Sequence, residues 1–334
     1  MTTNDLSLDV LLGHLQQLAT KSLVLWDIVP AGATARLINV SENATYLVEA
    51  DGWKSILRVH RDNYHTLTAI NTEIAWTEAL RKAGDIKTPG VYLGANRAAV
   101  QAGQVEGLTT SRFMTMFEFI EGDAPSEDQD LTGPFEELGK IAAIAHNHTI
   151  GWNRPVPYER LVWNTDSVFG KSPTWGNWRD APNVTTSISA ILEKVEETII
   201  RRLNNFGKSE QQYGLIHADM RLANLIIGKD GTRLIDFDDC GDGWFLYDFA
   251  AGISFIEDRP DIPDLKAAWV KGYRKVRKLS NEEVDEIDTL IMLRRLALLA
   301  WIGSHIEAPE PQEMAPKFAS ITAELGQKYL ERFG

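Results

Sequence analysis

The stretch that decides the fold is residues 215–239, which read LIHADMRLANLIIGKDGTRLIDFDD. It holds two apolar runs joined by Asp230-Gly231, and Asp-Gly between apolar runs is a strong signal for a β-hairpin. Asp219 lies on the loop before the first run, Asn224 opens that run, and Asp236 follows the second run. A hairpin brings Asn224 and Asp236 to the ends of neighbouring strands.

These three side chains match the needs of phosphoryl transfer. A carboxylate must orient the attacking hydroxyl and accept its proton, and hard oxygen ligands must hold Mg²⁺ against the phosphates. The spacing therefore predicts Asp219 as the catalytic base and Asn224 and Asp236 as magnesium ligands. Taken singly, each residue also fits an ordinary turn or a solvated strand end, so it is their combination that indicates a kinase.

Composition narrows the class of protein. The 334 residues include 34 basic and 47 acidic side chains, which gives a net charge of −13. Such a surface disfavours nucleic acid and anionic lipid as partners. The single cysteine, Cys240, excludes an internal disulfide and fits a reducing compartment. The chain starts without a signal-peptide pattern. We expect a soluble, cytoplasmic protein that binds neither nucleic acid nor membrane.

The apolar patterns divide the chain into two lobes. Alternation and turn signals predict a sheet in the first part, and helical periodicity predominates in the second. Strands are predicted at 35–40, 45–49, 53–59, 91–95 and 113–119, and helices at 5–20, 68–82, 135–148, 186–205, 264–276 and 281–306. Residues 151–183 form an irregular, tryptophan-rich insert. We predict an α+β fold with an antiparallel-sheet lobe over 1–120 and a mainly helical lobe over 121–334.

The pattern H-x-D-x-x-x-x-N followed by hydrophobic-D-x-D resembles the aminoglycoside phosphotransferase and choline kinase family, which has a protein-kinase-like fold. The chain looks most similar to members of the homoserine kinase type II kind. The resemblance implies ATP and Mg²⁺ as cofactors and a small hydroxylated molecule as acceptor. It assigns Asp219 as base, Asn224 and Asp236 as metal ligands, and Asp238 as a further ligand. Ala218 stands where the family has glycine.

The same resemblance extends to residues 243–250, which read GWFLYDFA. In the family the acid of this element supports the catalytic loop, which implies a structural role for Asp248, and His217 of the loop is expected to be structural as well. An ordinary helix-capping acid at Asp248 remains an equal alternative.

The N-terminal part offers an independent check. Kinases hold the α- and β-phosphates with a cation on the third strand, which pairs with a carboxylate on the next helix. Arg58 on the third predicted strand and Glu73 on the following helix fit these positions. Lys54, four residues earlier, is the rival cation. A solvated helix surface remains the alternative for Glu73.

The phosphate loop departs from that of protein kinases. No G-x-G-x-x-G occurs between residues 31 and 59, and no Walker motif occurs in the chain. Ser41 and Asn43 occupy the turn instead, where they either donate to phosphate oxygens or only form the turn. The segment from Glu118 to Ile120 is predicted to flank the adenine through main-chain atoms.

The acceptor stays open at this level. Aminoglycosides, amino alcohols and homoserine-like compounds all fit, in a pocket formed by the helical lobe and the 151–183 insert. Four acids are candidates for holding an amine, or are plain surface acids: Asp239, Asp242, Glu257 and Asp258. A serine/threonine protein kinase and a non-catalytic nucleotide-binding module are the alternative functions. The sequence predicts no oligomeric state.

Overall fold

The computed structural model describes residues 7–40, 43–126, 128–229 and 231–334. The chain forms two compact units. Unit 1 comprises Met1–Gly122, Arg154–Glu159 and Gly228–Asp238, and unit 2 comprises Asp123–Asn153, Arg160–Ile227 and Asp239–Gly334. The predicted fold class, an antiparallel sheet followed by a mainly helical region, is confirmed. The lobe boundaries 1–120 and 121–334 stay a prediction.

Unit 1 is built on one antiparallel sheet. The strands follow the order β1-β2-β3-β6-β4, and β5 pairs with β6. Its elements are α1 (Leu8–Ser22), β1 (Thr34–Val40), β2 (Ala44–Ala50), β3 (Trp53–Val59), α2 (Leu67–Ala83), β4 (Val91–Tyr92), β5 (Val100–Gly103) and β6 (Arg112–Glu118). The sequence predicts all of these except β5, and it makes β4 longer than the structure does.

The sequence explains how β3 and α2 are set in place. Ala50 pairs with Trp53 across a two-residue hairpin, and Gly52 supplies the positive φ of 70° that this turn requires. Helix α2 begins after Thr66, whose side chain accepts from the Ala69 amide, and ends at Gly84 in the left-handed conformation. These signals fix the register of the strand and the helix that carry the predicted phosphate-binding pair.

Unit 2 is mainly helical. Its elements are α3 (Thr132–Gly151), β7 (Leu161–Trp163), α4 (Thr165–Phe169), α5 (Thr186–Phe206), β8 (Tyr213–Ile216), β9 (Leu225–Gly228), β11 (Gly241–Trp244), α6 (Tyr247–Gly252), α7 (Ile262–Arg274), α8 (Asn281–Ser304) and α9 (Pro309–Phe333), with β10 (Gly231–Leu234) falling in unit 1. Strand β11 lies between β7, parallel, and β8, antiparallel. Strands β9 and β10 form the predicted two-stranded sheet, although Asp230 lies outside the described residues.

Two glycines let helices α3 and α7 approach closely. A Cβ on Gly139 would lie 2.0 Å from the Trp269 carbonyl oxygen, and one on Gly272 would lie 1.8 Å from that of Glu136. Real Cβ atoms do not approach backbone so closely, so only glycine allows this packing. Over the described ranges, none of the helices combines the length and the hydrophobicity that a bilayer crossing requires.

Candidate active site

In unit 1, a buried ion pair joins strand β3 to helix α2. The Nη1 of Arg58 lies 2.7 Å from Oε1 of Glu73, and their side chains are 9% and 2% exposed. Lys54 is 44% exposed and pairs instead with Glu121 at 3.7 Å, with its ammonium 5.0 Å from the centre of the Phe119 ring. The structure therefore brings Arg58, rather than Lys54, to the helix carboxylate.

The same guanidinium contacts the carboxylates after β10. The Nη2 of Arg58 lies 2.7 Å from Oδ1 of Asp236, and its Nη1 lies 3.4 Å from Oδ1 of Asp238. Burial disfavours the charge on Arg58, but Glu73, Asp236 and Asp238 together raise its pKa above the ordinary value. Asp236 has a left-handed φ of 60°, and its side chain is 47% exposed. It thus presents a solvent-exposed carboxylate that an oxygen-seeking cation can reach.

Asp238 is enclosed by donors. Asn43 Nδ2 donates to its Oδ2 at 2.8 Å, His65 Nε2 lies 3.5 Å from the same oxygen, and His60 Nδ1 lies 3.7 Å from Oδ1. Burial raises the pKa of Asp238, but His65, Arg58 and His60 outweigh it and hold this pKa far below the ordinary range. Because both oxygens face protein donors, Asp238 is better suited than Asp236 to a structural role. Its role as a metal ligand stays a prediction.

The residues predicted to line the nucleotide differ in their contacts and in their burial. Asn43 donates to Asp238, and its Oδ1 accepts from the Arg61 amide at 3.1 Å, so its side chain braces the turn. Ser41 lies outside the described residues. Glu118 accepts from the Gly90 amide at 2.8 Å, and Ile120 is half-buried just beyond β6.

In unit 2, the loop after β8 positions Asp219. Asn224 ends a short 3-10 turn (Leu222–Asn224), and its Nδ2 donates to both the backbone oxygen and Oδ2 of Asp219, each at 2.8 Å. The amide thereby turns its Oδ1 away from Asp219. An amide oxygen held in this way is a suitable ligand for Mg²⁺.

Two arginines contact the carboxylate of the predicted base. Arg221 Nε lies 3.1 Å from Asp219 Oδ1 and 3.4 Å from Oδ2, and Arg294 Nη2 lies 3.3 Å from Oδ1. Burial alone raises the pKa of Asp219, but Arg221, Arg294 and His217 lower it below its ordinary value. Asp219 is therefore ionised at neutral pH, the state in which a carboxylate can accept a proton.

The backbone of the catalytic loop is held by Asp248 of α6. Its carboxylate accepts from the Ala218 amide at 2.7 Å and from the His217 amide at 3.3 Å. Ala218 has a φ of 63°, a left-handed conformation in which glycine is favoured. The ring nitrogen Nδ1 of His217 accepts from the Asp219 amide at 3.3 Å. In these interactions both residues contact the backbone of the loop, and their structural roles stay a prediction.

Asp248 belongs to a longer buried chain of hydrogen bonds. His146 Nε2 lies 2.9 Å from Asp248 Oδ2, and His146 Nδ1 lies 3.0 Å from the Tyr273 hydroxyl, whose oxygen accepts from Arg277 at 3.2 Å. Burial lowers the pKa of His146 and raises that of Tyr273. A neutral imidazole donates from Nε2 and accepts at Nδ1, so each donor in the chain faces one acceptor.

This arrangement predicts a pH dependence of stability. The pKa of His146 is lowered in the folded protein, so the unfolded chain binds the proton more readily. The contribution of His146 is therefore complete above about pH 6.5, the unfolded pKa, and is lost as the pH falls towards the lower folded value. Urea unfolding at pH 8 and pH 5.5 measures the change in the free energy of unfolding.

His146→Gln is the matched control, since the amide can donate to Asp248 and accept from Tyr273 without titrating. We expect the free energy of unfolding to fall less steeply with pH in this variant than in the wild type. Identical slopes for the two proteins would contradict the assignment of a neutral buried His146.

Each unit offers an oxygen donor of the kind that Mg²⁺ binds, the Asp236 carboxylate in unit 1 and the Asn224 amide oxygen in unit 2. Their assignment as ligands stays a prediction. Among the residues that the structure describes, no group of three or more His, Cys, Asp or Glu side chains could hold a metal alone. Mg²⁺ is typically held by one or two protein oxygens together with water and substrate phosphates, so it does not require such a group.

The four candidate acids differ in burial. Glu257 is buried and pairs with Arg295 at 2.5 Å, and burial raises its pKa. Asp258 is exposed, whereas Asp239 and Asp242 are half-buried in unit 2. Of these last two, Asp239 interacts electrostatically with Arg294, the neighbour of Asp219.

Sequence reasoning missed the functional interest of Arg294. This residue and Arg295 lie in the middle of α8 and are each only 2% exposed. The available signal was two adjacent cations inside the apolar run 290–302. Buried charges require partners, so such a pair indicates that carboxylates lie against the helix.

The fold and these side chains define a kinase of the protein-kinase-like class, and comparison with known proteins identifies the family. A model of the phosphotransferase enzyme family matches residues 34–279, about three quarters of the chain. The chain belongs to this family. It is an ATP- and Mg²⁺-dependent phosphotransferase that acts on a hydroxyl group of a small molecule.

Individual relatives agree with this family. The structure of the microcompartment-associated aminopropanol kinase is 38% identical to this chain, covers 95% of it and 98% of that protein, and has a TM-score of 0.88. The amicoumacin kinase hAmiN, solved with AMP-PNP, Ca²⁺ and Ami, is 20% identical, covers 91% of each chain and has a TM-score of 0.73. Amicoumacin kinase of Bacillus subtilis (strain 168) is 22% identical over 273 residues, 79% of this chain and 78% of its own length.

Proposed function

We propose that the chain phosphorylates the hydroxyl of a small amino alcohol, with Asp219 as the general base. The observation that carries the proposal is the state of the Asp219 carboxylate, which is ionised and held at both oxygens by side chains of unit 2. A base in this state can orient an acceptor hydroxyl and take its proton as the oxygen attacks the γ-phosphorus.

The remaining residues take supporting roles in this proposal. Asn224 and Asp236 would hold Mg²⁺, which when bound neutralises phosphate charge. Arg58, fixed by Glu73, would bind the α- and β-phosphates, and its forked guanidinium suits bidentate contacts with phosphate oxygens. Asn43 and the segment 118–120 would border the nucleotide, together with Ser41.

The amino-alcohol class is supported by the 38% identity with the aminopropanol kinase structure over nearly the whole chain. The charges of unit 2 give a physical reason as well. Arg221 and Arg294 repel an ammonium from the immediate side of Asp219, so the amine must be held by a separate carboxylate. Asp239, half-buried and electrostatically coupled to Arg294, is our candidate for that carboxylate.

A homoserine-like acceptor is the second candidate. The guanidinium of Arg221 lies beside Asp219 and its side chain is 33% exposed, so it could receive a carboxylate of such a substrate.

The family and the acidic surface, with its net charge of −13, also lead us to propose a cytoplasmic location and no role for nucleic acid.

Substrate-stimulated ADP release tests the acceptor. We expect 1-amino-2-propanol or a similar amino alcohol to give the highest kcat/KM in a panel with choline, homoserine, aminoglycosides and serine-containing peptides. The reason is that the acceptor must place an ammonium and a hydroxyl only a few bonds apart. A clear preference for homoserine would favour the second candidate, and a preference for an aminoglycoside or a peptide would contradict both.

The control for this panel is Asp239→Asn, assayed with the best amino alcohol and with its analogue lacking the amine. We expect the substitution to raise KM for the amino alcohol and to leave the poor activity on the amine-free alcohol unchanged. Equal effects on both acceptors would contradict an ammonium site at Asp239.

A further inference from the structure

Arg294 is the most constrained cation near the predicted base. Its side chain is 3% exposed, its Nη2 lies 3.3 Å from Asp219 Oδ1, and its Nε donates to Ser254 Oγ at 3.1 Å. Two nitrogens of this guanidinium, which α8 carries, are therefore held by side chains outside that helix. Burying such a charge carries a large desolvation penalty, so the charge needs a partner that compensates for it.

Aromatic rings close the other sides of this guanidinium. Its central carbon lies 5.1 Å from the centre of the Trp175 ring, 5.8 Å from Tyr247 and 5.9 Å from Trp163. Cation–π attraction is strongest when the cation is desolvated, as it is here. The rings leave Arg294 little freedom to turn away from Asp219.

Both oxygens of Asp219 have partners. Asn224 donates to Oδ2 and Arg294 to Oδ1, while Arg221 Nε lies between the two, 3.1 Å from Oδ1 and 3.4 Å from Oδ2. A carboxylate offers about four lone-pair positions, so these three donors leave roughly one for an incoming hydroxyl. Arg221 is 33% exposed and Arg294 is not, so Arg294 is the rigid member of the pair.

We propose that Arg294 is the positioning residue for the catalytic base: it fixes the rotation of the Asp219 carboxylate, so that one lone pair faces the acceptor. Arg294 acts through Asp219 and not by touching the acceptor. The inference rests on the proposed role of Asp219 and adds the device that orients it.

Arg295 provides a matched control on the same helix. It is equally buried, but its Nη1 pairs with Glu257 at 2.5 Å and its Nε donates to Thr322 at 2.9 Å. None of its hydrogen bonds or ion pairs among the described residues reaches Asp219. Substitutions at Arg294 and Arg295 therefore alter two similarly buried guanidinium groups. Only a substitution at Arg294 changes a partner of the predicted base.

The experiment compares Arg294→Met, Arg294→Lys and Arg295→Lys with the wild type. Two readouts are used: kcat and KM with the best acceptor, and the rotation of the Asp219 carboxylate in crystal structures of the proteins without substrate. Arg294→Met is expected to lower kcat about 10²-fold, the effect of roughly 1 Å misplacement at a reacting group. Its KM should be nearly unchanged, and its Asp219 carboxylate should rotate away from the wild-type orientation.

Arg294→Lys separates charge from geometry, because lysine keeps the charge but lacks the planar fork. We expect kcat to fall about tenfold or more in Arg294→Lys. Arg295→Lys should leave kcat and the orientation of the Asp219 carboxylate unchanged. If Arg294→Met does not fold, Ser254→Ala removes one anchor of the guanidinium and should also lower kcat more than it changes KM.

Wild-type kcat together with an unmoved Asp219 carboxylate in Arg294→Met would overturn the inference. So would an equal loss of kcat in Arg295→Lys. The inference and the proposed function fail separately. A wild-type protein with no acceptor-dependent phosphoryl transfer refutes the proposed function, whereas the crystal structures still test the Arg294–Asp219 pair without any turnover.

Discussion

Asp219→Asn is expected to lower kcat by roughly 10²–10⁴-fold, the range for losing a positioned general base. The substitution keeps the size of the side chain and removes the charge that Arg221 and Arg294 stabilise. Because the predicted phosphate-binding pair, Arg58 and Glu73, belongs to unit 1, nucleotide affinity should remain. Acceptor-dependent ADP release and calorimetric titration with nucleotide measure the two effects.

The control for this variant is Asp264→Asn, the same change at an exposed position of α7 in unit 2. It should retain full turnover. An Asp219→Asn protein that turns over within a few-fold of the wild type would remove Asp219 from the role of base. Loss of nucleotide affinity together with turnover would instead indicate a folding defect, which thermal unfolding of the variant detects.

Asp236→Ala is expected to weaken Mg²⁺-dependent nucleotide binding by more than the roughly 10–100-fold typical of losing an outer-shell partner of a metal. Asp236 has the open carboxylate of unit 1, and its removal leaves Arg58 paired with Glu73 and Asp238. The ion-pair network and the fold of unit 1 should therefore survive. Nucleotide Kd is measured with Mg²⁺ and with EDTA, and only the former should change strongly.

Asp238→Asn is the informative comparison. Asp238 is enclosed by Asn43, His65, His60 and Arg58, so its neutralisation should lower thermal stability more than it changes the Mg²⁺ dependence of binding. Equal loss of Mg²⁺-dependent affinity in both variants would show that Asp238 also ligates the metal. Unchanged affinity in Asp236→Ala would refute the ligand role of Asp236.

The sequence is most informative where the chemistry is local. Asp219 and Asn224 lie five residues apart on one loop, so their contact follows from a short segment whatever surrounds it. Arg58 and Glu73 are fifteen residues apart, but a strand and the next helix carry them, and the hairpin and capping signals position both elements. Hydrophobic alternation therefore predicts this part of the site as well as the sheet.

Local sequence patterns do not predict contacts between residues that lie far apart in the chain. His146 meets Asp248 across 102 residues and Tyr273 across 127, and no local pattern encodes either hydrogen bond. Arg294 reaches Asp219 across 75 residues. The pair of arginines within an apolar run indicated buried partners but could not name them.

Helix α9 was missed for a different physical reason. It carries Pro316 in its interior, where proline removes a backbone hydrogen bond and lowers helix propensity, whereas the prolines at 309 and 311 lie in the first turn, where proline is tolerated. Tertiary burial overrides that penalty, since Phe318, Ala319 and Ala323 are all buried. Most helical stability in proteins comes from such packing and not from propensity, so a propensity argument fails here.

The backbone conformation of Ala218 limits which residues can replace it in the predicted catalytic loop. Its left-handed φ of 63° costs a residue with a Cβ roughly 1–2 kcal/mol relative to glycine. A methyl group is the smallest side chain that incurs this penalty, and Val, Ile or Thr would incur far more. The hydrogen bond from the Ala218 amide to Asp248 fixes the peptide in that conformation. The hydrogen bond to Asp248 of α6 therefore limits which residues can occupy position 218. The loop conformation depends on α6 as well as on the residues of the loop itself.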